Sequence, residues 1–300
     1  MSAEDAQAAG PSGAIYDIGY RGYDGPRVGR RARIVTLFTH TLRGAFGLGR
    51  MGRAKIAPIL LLAALCVPAL VMAGVVSFVH LDKLPVGYDF FSLDLQVLHT
   101  IWLGVLAPFV VSRDLRFRVT TLYFSRPLMR LDYLWAKYVA TVAALLVMLV
   151  VPPVVLFIGA LLGKLDARAQ VRDLLPVLVL VALLALLLAA VGLLIASLAP
   201  RRGMGIAAIV AVLLVSSGVR AIVEAIAVDR GSAEGRLYAG MISPYSLVER
   251  IVAGLFHQTR AGMLVAPTAG QTLAFAGVFV VVLGGALLLL VRRYQKVSVL

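Results

Sequence analysis

The sequence has little charge and only one cysteine. Charged residues make up 15% of the 300 positions, against roughly 25% in a soluble globular domain. By contrast, 61% of the residues are hydrophobic and the mean hydropathy is +0.94. These values exclude a small soluble domain, a disordered protein and a secreted disulfide scaffold. Cys66 has no second cysteine for an intrachain disulfide or a cysteine-based metal site.

The motifs of an ATPase or a metalloenzyme are also missing. No G-x-x-x-x-G-K-[ST] sequence occurs, and the four histidines show no metal-binding spacing. Gly47, Gly49 and Gly52 match G-x-G-x-x-G, but no strand precedes them and an apolar run follows. We interpret them as a flexible joint, since a dinucleotide site needs a strand before the glycines. We therefore expect no enzyme activity and no cofactor in this chain.

Long apolar runs are the dominant feature of the sequence. Runs of about 18 residues or more predict membrane-spanning helices. The pattern predicts six spans in an all-α membrane domain over 57–292: 57–80, 95–112, 138–162, 174–198, 204–227 and 271–291. The first 30 residues have no apolar core, so we expect no cleaved signal peptide and a retained first span.

The net charge of +14 is unevenly distributed between the predicted spans. Nine Lys/Arg precede the first span, six lie between spans two and three, two between spans four and five, and three in the tail. These alternate segments carry the whole net charge, and the opposite segments sum to zero. The positive-inside rule therefore predicts that both termini, 1–30 and 293–300, are cytoplasmic. The excess of positive charge therefore indicates the orientation of the chain in the membrane, so we expect no nucleic-acid partner.

Two further segments have amphipathic character. Residues 33–48, within a connecting segment 31–56, place their apolar residues on one half of a helical wheel and arginines on the other. We expect this helix to lie in the headgroup plane, the alternative being a helix packed on a soluble domain. The half-apolar stretch 228–270 predicts a re-entrant or interfacial hairpin, with an ordinary external loop as the alternative.

Arg220 and Glu224 are the one ionic pair that we find close to a span. They are four residues apart, so they share a face of the fifth helix and can pair. Two interpretations are open. The pair could mark the outer membrane boundary by snorkelling, or it could form an outer gate that contacts the substrate.

The loop between spans two and three mixes charge with aliphatic and aromatic residues. The positive-inside rule explains its arginines but not the Leu, Tyr and Phe between them. Arginine and aromatic side chains dominate protein–protein contacts. The loop therefore predicts a docking surface for a cytosolic partner, with a merely solvated loop as the alternative.

This loop resembles that of the ABC-2 class of ATP-binding-cassette permeases. The resemblance is carried by S-R-D-x-R from Ser112 to Arg116, and by T-L-x-x-S-R-P-L-x-R-x-D-Y-x-x-x-K from Thr121 to Lys137. The order of elements is also similar: amphipathic helix, six spans, and a re-entrant stretch before the last. The motif from Tyr20 to Arg27 is similar to actinobacterial members of the class.

The resemblance implies a permease without its own nucleotide site. Two permeases and two cytosolic ATPases would assemble, with ATP and magnesium bound by the ATPases. The coupling element to the ATPase would include Arg113, Asp114, Arg116, Arg126, Pro127, Arg130 and Asp132. The connecting helix would contribute Arg33, His40 and Arg43.

The expected function is export of a hydrophobic or amphiphilic substrate across a bacterial cytoplasmic membrane. The expected partners are the ATPase, a second permease copy or paralogue, and membrane lipids. A second function remains open, namely a non-transporting scaffold or sensor that recruits a cytosolic partner through the same loop.

Overall fold

A computed structural model describes residues 29–79, 83–112, 129–199, 201–257 and 266–296, together with Gly25 and Leu81. All α-helices and 3-10 helices below belong to these residues, and no strand occurs among them. The α-helices are α1 (Arg30–Ala45), α2 (Ile56–Val79), α3 (Phe90–Leu93), α4 (Gln96–Val110), α5 (Arg130–Leu162), α6 (Ala167–Leu198), α7 (Arg202–Asp229), α8 (Ala233–Tyr238), α9 (Pro244–Phe256) and α10 (Ala269–Lys296). Short 3-10 helices cover Gly52–Lys55 and Ala239–Met241.

Five of these helices are long and apolar enough to cross a membrane: α2, α5, α6, α7 and α10. The expected second span, 95–112, is the exception. Its helix α4 has 15 residues, and a tilted or straight span needs about 20. The all-helical membrane-protein character is confirmed, whereas the sixth span is not. Helix α5 also begins eight residues before the predicted start of the third span, at Arg130.

Helix α6 is the centre of the bundle. It packs against α4, α5, α7, α9 and α10, and 56% of its most apolar stretch is buried. Small residues permit this close packing. Ala185, Ala189 and Ala190 are fully buried, and a Cβ at Gly192 would lie 2.6 Å from Leu103 Cδ1 on α4.

The long helices run in alternate directions between two ends of the bundle. At one end, α1 contacts α5 and Arg293 near the end of α10 donates to the Ser197 carbonyl at 2.8 Å. We call this the α1 end. At the other, α9 packs on the end of α7 and the start of α10, where a Cβ at Gly254 would overlap the Thr272 side chain. We call this the α9 end.

Helix α1 packs on the bundle through much of its predicted apolar half. Leu37 is buried with Thr41 and Gly44 against α5 and α4. Four more apolar side chains of this half are partly buried against the core, namely those of Ile34, Leu42, Ala45 and Phe46. Val35 and Leu48 from the same half are exposed. That α1 lies in the headgroup plane stays a prediction.

The glycine-rich joint after α1 is a tight turn. Gly47 and Gly49 adopt φ values of +71° and +78°, which glycine tolerates and other residues rarely do. A Cβ at Gly47 would also lie 2.6 Å from the Ala54 carbonyl oxygen. A helix precedes these glycines, and no strand does, which agrees with the interpretation of G-x-G-x-x-G as a joint.

The segment between α7 and α10 folds back onto the bundle. Helix α9 buries Tyr245, Val248 and Ile251 and packs on α6 and α10. Ser232 caps α8 by accepting from the Gly235 backbone N–H at 3.1 Å. The described part of the predicted 228–270 hairpin is therefore helical and buried on one side, unlike an ordinary loop.

We expect Gly159→Ala to destabilise the protein by about 1–3 kcal/mol, the usual cost of overpacking. A Cβ at Gly159 on α5 would overlap the Ala73 Cβ and lie 3.0 Å from the Ala73 Cα on α2. The measurement is thermal unfolding in detergent. Gly218→Ala on α7 is the matched control, because no atom lies within 4 Å of its Cβ position. Equal melting temperatures for the two variants would contradict the α2–α5 packing.

Candidate functional site

A bidentate ion pair joins α1 to the first turn of α5. Arg30 Nε donates to Asp132 Oδ2 at 2.7 Å, and Arg30 Nη2 donates to Asp132 Oδ1 at 2.8 Å. The Asp132 side chain is 10% exposed and that of Arg30 is 55% exposed. The hydrogen bond to Asp132 raises the pKa of Arg30 above its ordinary value. Planar two-point geometry makes this one of the stronger kinds of ion pair.

Only part of the predicted coupling element can be located. Arg113, Asp114, Arg116, Arg126 and Pro127 lie outside the described residues. Arg130 is exposed at the start of α5, two residues before Asp132. Asp132 was predicted to lie in or beside the surface that docks the partner, and this stays a prediction. The contact that the structure shows for its carboxylate is the ion pair with Arg30 of the connecting helix.

The predicted connecting-helix residues lie on the outer surface of α1. His40 and Arg43 are exposed, and Arg33 is partly buried. His40 and Arg43 are therefore accessible to a partner at the α1 end, whereas the Nε of Arg33 is buried.

Glu224 joins three arginines at the α9 end. Its carboxylate accepts from Arg220 on the same helix, as predicted, through a very short contact. It also lies 3.3 Å from Arg236 Nε on α8 and 3.7 Å from Arg250 Nη2 on α9. The Arg250 side chain is only 6% exposed. Glu224 thus links α7, α8 and α9, so the pair is more than a boundary marker on one helix.

A small polar cavity lies beside this cluster. Its volume is about 190 Å³, and its lining includes Arg220, Asp94, Glu249 and Gln96. Hydrogen bonds surround it: the Tyr245 hydroxyl donates to the Gln96 carbonyl at 3.2 Å and lies 2.9 Å from Thr100 Oγ1. The α4–α7–α9 junction is therefore polar within an otherwise apolar bundle.

A larger cavity of about 910 Å³ occupies the α9 end. Residues 83–90, the first turns of α6 and the last turns of α9 line it. The Tyr88 hydroxyl donates to Gln170 Oε1 at 2.5 Å across this wall. Burial and the nearby Asp173 carboxylate raise the pKa of Tyr88 to about 12. No local pattern in the sequence signals this cavity, because its walls come from three separate segments.

No group of three or more metal-ligating side chains occurs among the described residues. His40 is exposed on α1, His99 is buried in α4 and His257 ends α9, so these three lie in different parts of the bundle. His80 lies outside the described residues.

Sequence reasoning missed three arginines of the two ionic clusters. Arg30 is 102 residues from Asp132, and Arg236 and Arg250 are 12 and 26 residues from Glu224. Only the spacing of four between Arg220 and Glu224 is a local signal. The one available hint was the position of Arg250 in an amphipathic stretch. A buried arginine needs an acidic partner.

Comparisons with protein-family models, with curated proteins and with solved structures return no match for this chain. The likeness to ABC-2 permeases therefore rests on the sequence motif, and the functional assignment is a proposal.

We expect Glu224→Gln to destabilise the α9 end by about 1–3 kcal/mol, because three arginines lose their shared carboxylate and Arg250 is left buried beside a neutral amide. Thermal unfolding in detergent measures the loss. Glu234→Gln, at an exposed position on α8, is the control and should leave the melting temperature unchanged. A Glu224→Gln variant as stable as the control would show that the cluster contributes nothing to stability.

Proposed function

We propose that this chain is the transmembrane permease subunit of an ABC-2-type ATP-binding-cassette transporter in a bacterial cytoplasmic membrane. A separate ATPase, which binds ATP and magnesium, drives it, and the transported substrate is hydrophobic or amphiphilic. In this proposal the α1 end faces the cytoplasm and the α9 end faces outward, with α4 as the sixth crossing.

The observation that carries the proposal is the convergence of three elements at the α1 end. The loop with the permease-like motif leaves the bundle after Ser112, whose hydroxyl donates to the Ala196 carbonyl at 2.8 Å. It returns at α5, where Asp132 holds Arg30 of α1. Both ends of the loop and the connecting helix thus lie at one end of the bundle, within reach of one ATPase.

This arrangement supports a simple transmission of force. Closure of the ATPase dimer would push the segment 113–129, and α5 would follow because this segment precedes its first turn. The Arg30–Asp132 pair would make α1 move with α5. The long helices would then repack between inward and outward states.

The assembly with a second permease copy is supported by an apolar stripe on α7. Val212, Val215, Val219, Ile222 and Ile226 are between 43% and 62% exposed. Their alternating spacings of three and four residues place them on one face, as in a helix–helix seam. Only 11% of the most apolar stretch of α7 is buried within this chain. A second copy would cover the stripe by two-fold symmetry.

The alternative, a non-transporting scaffold or sensor, uses the same loop to recruit a cytosolic partner. It needs no partner ATPase and no symmetric pairing through α7. A neighbouring reading frame with a Walker motif favours the transporter, whereas a neighbouring kinase or protease favours the scaffold.

The coupling proposal is tested with the chain copurified with the ATPase encoded beside it and reconstituted into vesicles. We expect Arg126→Glu to abolish stimulation of ATP hydrolysis by the permease while membrane insertion is retained, because the charge reversal opposes docking. Stimulation at the unmodified level would remove the docking claim.

The same assay separates the two roles of Asp132. We expect Asp132→Arg to lose stimulation, because two arginines then repel each other between α1 and α5. The double variant Arg30→Glu with Asp132→Arg restores an opposite-charge pair and should regain most of the stimulation. A double variant as inactive as the single one would show that Asp132 acts by contacting the ATPase and not by holding α1.

The pairing through α7 is tested by disulfide cross-linking in membranes, in a Cys66→Ala background. We expect Val215→Cys or Val219→Cys to form a covalent dimer on mild oxidation, because both lie in the exposed stripe. Leu288→Cys on α10, which is 64% exposed, is the matched control. Equal cross-linking at the control position, or none in the stripe, would exclude this face as the interface.

A further inference from the structure

The cavity of about 910 Å³ at the α9 end has the size of a small-molecule site. Ligand pockets have volumes of roughly 300–1,000 Å³, apolar walls and a few polar groups that orient the ligand. The apolar part of its lining comes from three elements, with Phe90 of α3, Val177 and Leu180 of α6, and Val252 of α9. Because Val177, Leu180 and Val252 are nearly inaccessible to solvent, this part of the wall is held by core packing.

Carboxylates outnumber cations around the same cavity. Among the described residues, four acids line it, Asp89, Asp166, Asp173 and Glu249, against two bases, Lys83 and Arg172. Arg172 lies 3.6 Å from Asp173, on the exposed side. The excess of negative charge is local, because the whole chain carries +14.

We propose that this cavity binds a lipophilic cation, that is, an apolar body bearing one positive charge. The apolar body lies on the wall formed by Phe90, Val177 and Leu180, and the charge faces Asp173 and Glu249. Neither an anion nor a neutral amphiphile satisfies both halves of the lining. Partial desolvation strengthens the attraction between the cation and the carboxylates.

The position of the cavity distinguishes it from the predicted docking surface. It lies at the opposite end of the bundle from Asp132, and none of the described residues that line it belongs to α1 or to the first turns of α5. The proposal therefore concerns binding by this chain itself and does not depend on the ATPase or on transport.

Glu249 is the residue through which ligand binding would reach the ionic cluster. It lines both the large cavity and the polar cavity that contains Arg220, and it precedes Arg250, which contacts Glu224. A bound cation beside Glu249 would change the field at these arginines. The site and the links among α7, α8 and α9 are thus adjacent.

The test uses the full chain in nanodiscs and two probes of the same shape and opposite charge, tetraphenylphosphonium and tetraphenylborate. Equilibrium dialysis against protein-loaded and empty nanodiscs measures binding to the protein. We expect saturable binding of tetraphenylphosphonium with one site per chain, and no saturable binding of tetraphenylborate. Saturable binding of both ions, or of neither, would overturn the proposal.

The carboxylates are tested by isosteric neutralisation. The double variant Asp173→Asn with Glu249→Gln should raise the Kd for tetraphenylphosphonium about tenfold, with circular dichroism to check folding. Asp229→Asn with Glu234→Gln is the matched control, because both positions are exposed and outside the cavity. An unchanged Kd in the folded double variant would refute the assignment. If that variant does not fold, Asp173→Asn alone is used, because this side chain is half-exposed. We expect it to raise the Kd for tetraphenylphosphonium about threefold. An unchanged Kd would likewise refute the assignment.

Discussion

The packing of α6 is the constraint on which the rest of the structure depends. Five other helices touch it, and its fully buried stretch includes Leu184, Leu187, Leu188 and Leu193. In a lipid bilayer, burial of apolar side chains provides little driving force for the association of helices. Close van der Waals contact must therefore hold the helices together. Alanine and glycine at the contacts allow the backbones to approach, and leucine fills the spaces between them. The outer helix α7 packs directly on α6, whereas the outer helix α2 packs on α5, which in turn packs on α6.

Ionic contacts at the two ends then define how the ends can move. At the α1 end, one bidentate pair attaches the connecting helix to α5. At the α9 end, one carboxylate joins arginines on three helices. In the proposed transport cycle, these links would let each end of the bundle move as a unit.

The two ends also differ in chemistry. The α1 end presents exposed cationic side chains, Arg43 and Arg130 among them, towards the compartment that would hold the ATPase. The α9 end contains a cavity with more carboxylates than cations. This difference in charge between the two ends follows the distribution of charge along the sequence. It separates the surface proposed to bind the ATPase from the cavity proposed to bind a ligand. The stripe on α7 runs between the two and leaves a face free for a second copy.

Much of the fold could be predicted from hydropathy alone. Five of the six expected spans are long apolar helices, and α1 lies within three residues of its predicted bounds. Such predictions succeed because a helix satisfies its own backbone in an apolar medium, so length and composition suffice. The prediction was less good for the second span, because the α-helix α4 ends at Val110 and has 15 residues, and hydropathy does not show where an α-helix ends.

The contacts of the candidate sites also differ in whether the sequence predicts them. The sequence by itself determined that Arg220 and Glu224 pair, because a spacing of four places them on one helix face. Only the tertiary structure decided that Arg30 meets Asp132 and that Arg236 and Arg250 join Glu224. It also decided which segments enclose the cavity at the α9 end. Those contacts depend on which helices are neighbours, and that choice is made by the packing of side chains around α6, which no local pattern in the sequence encodes.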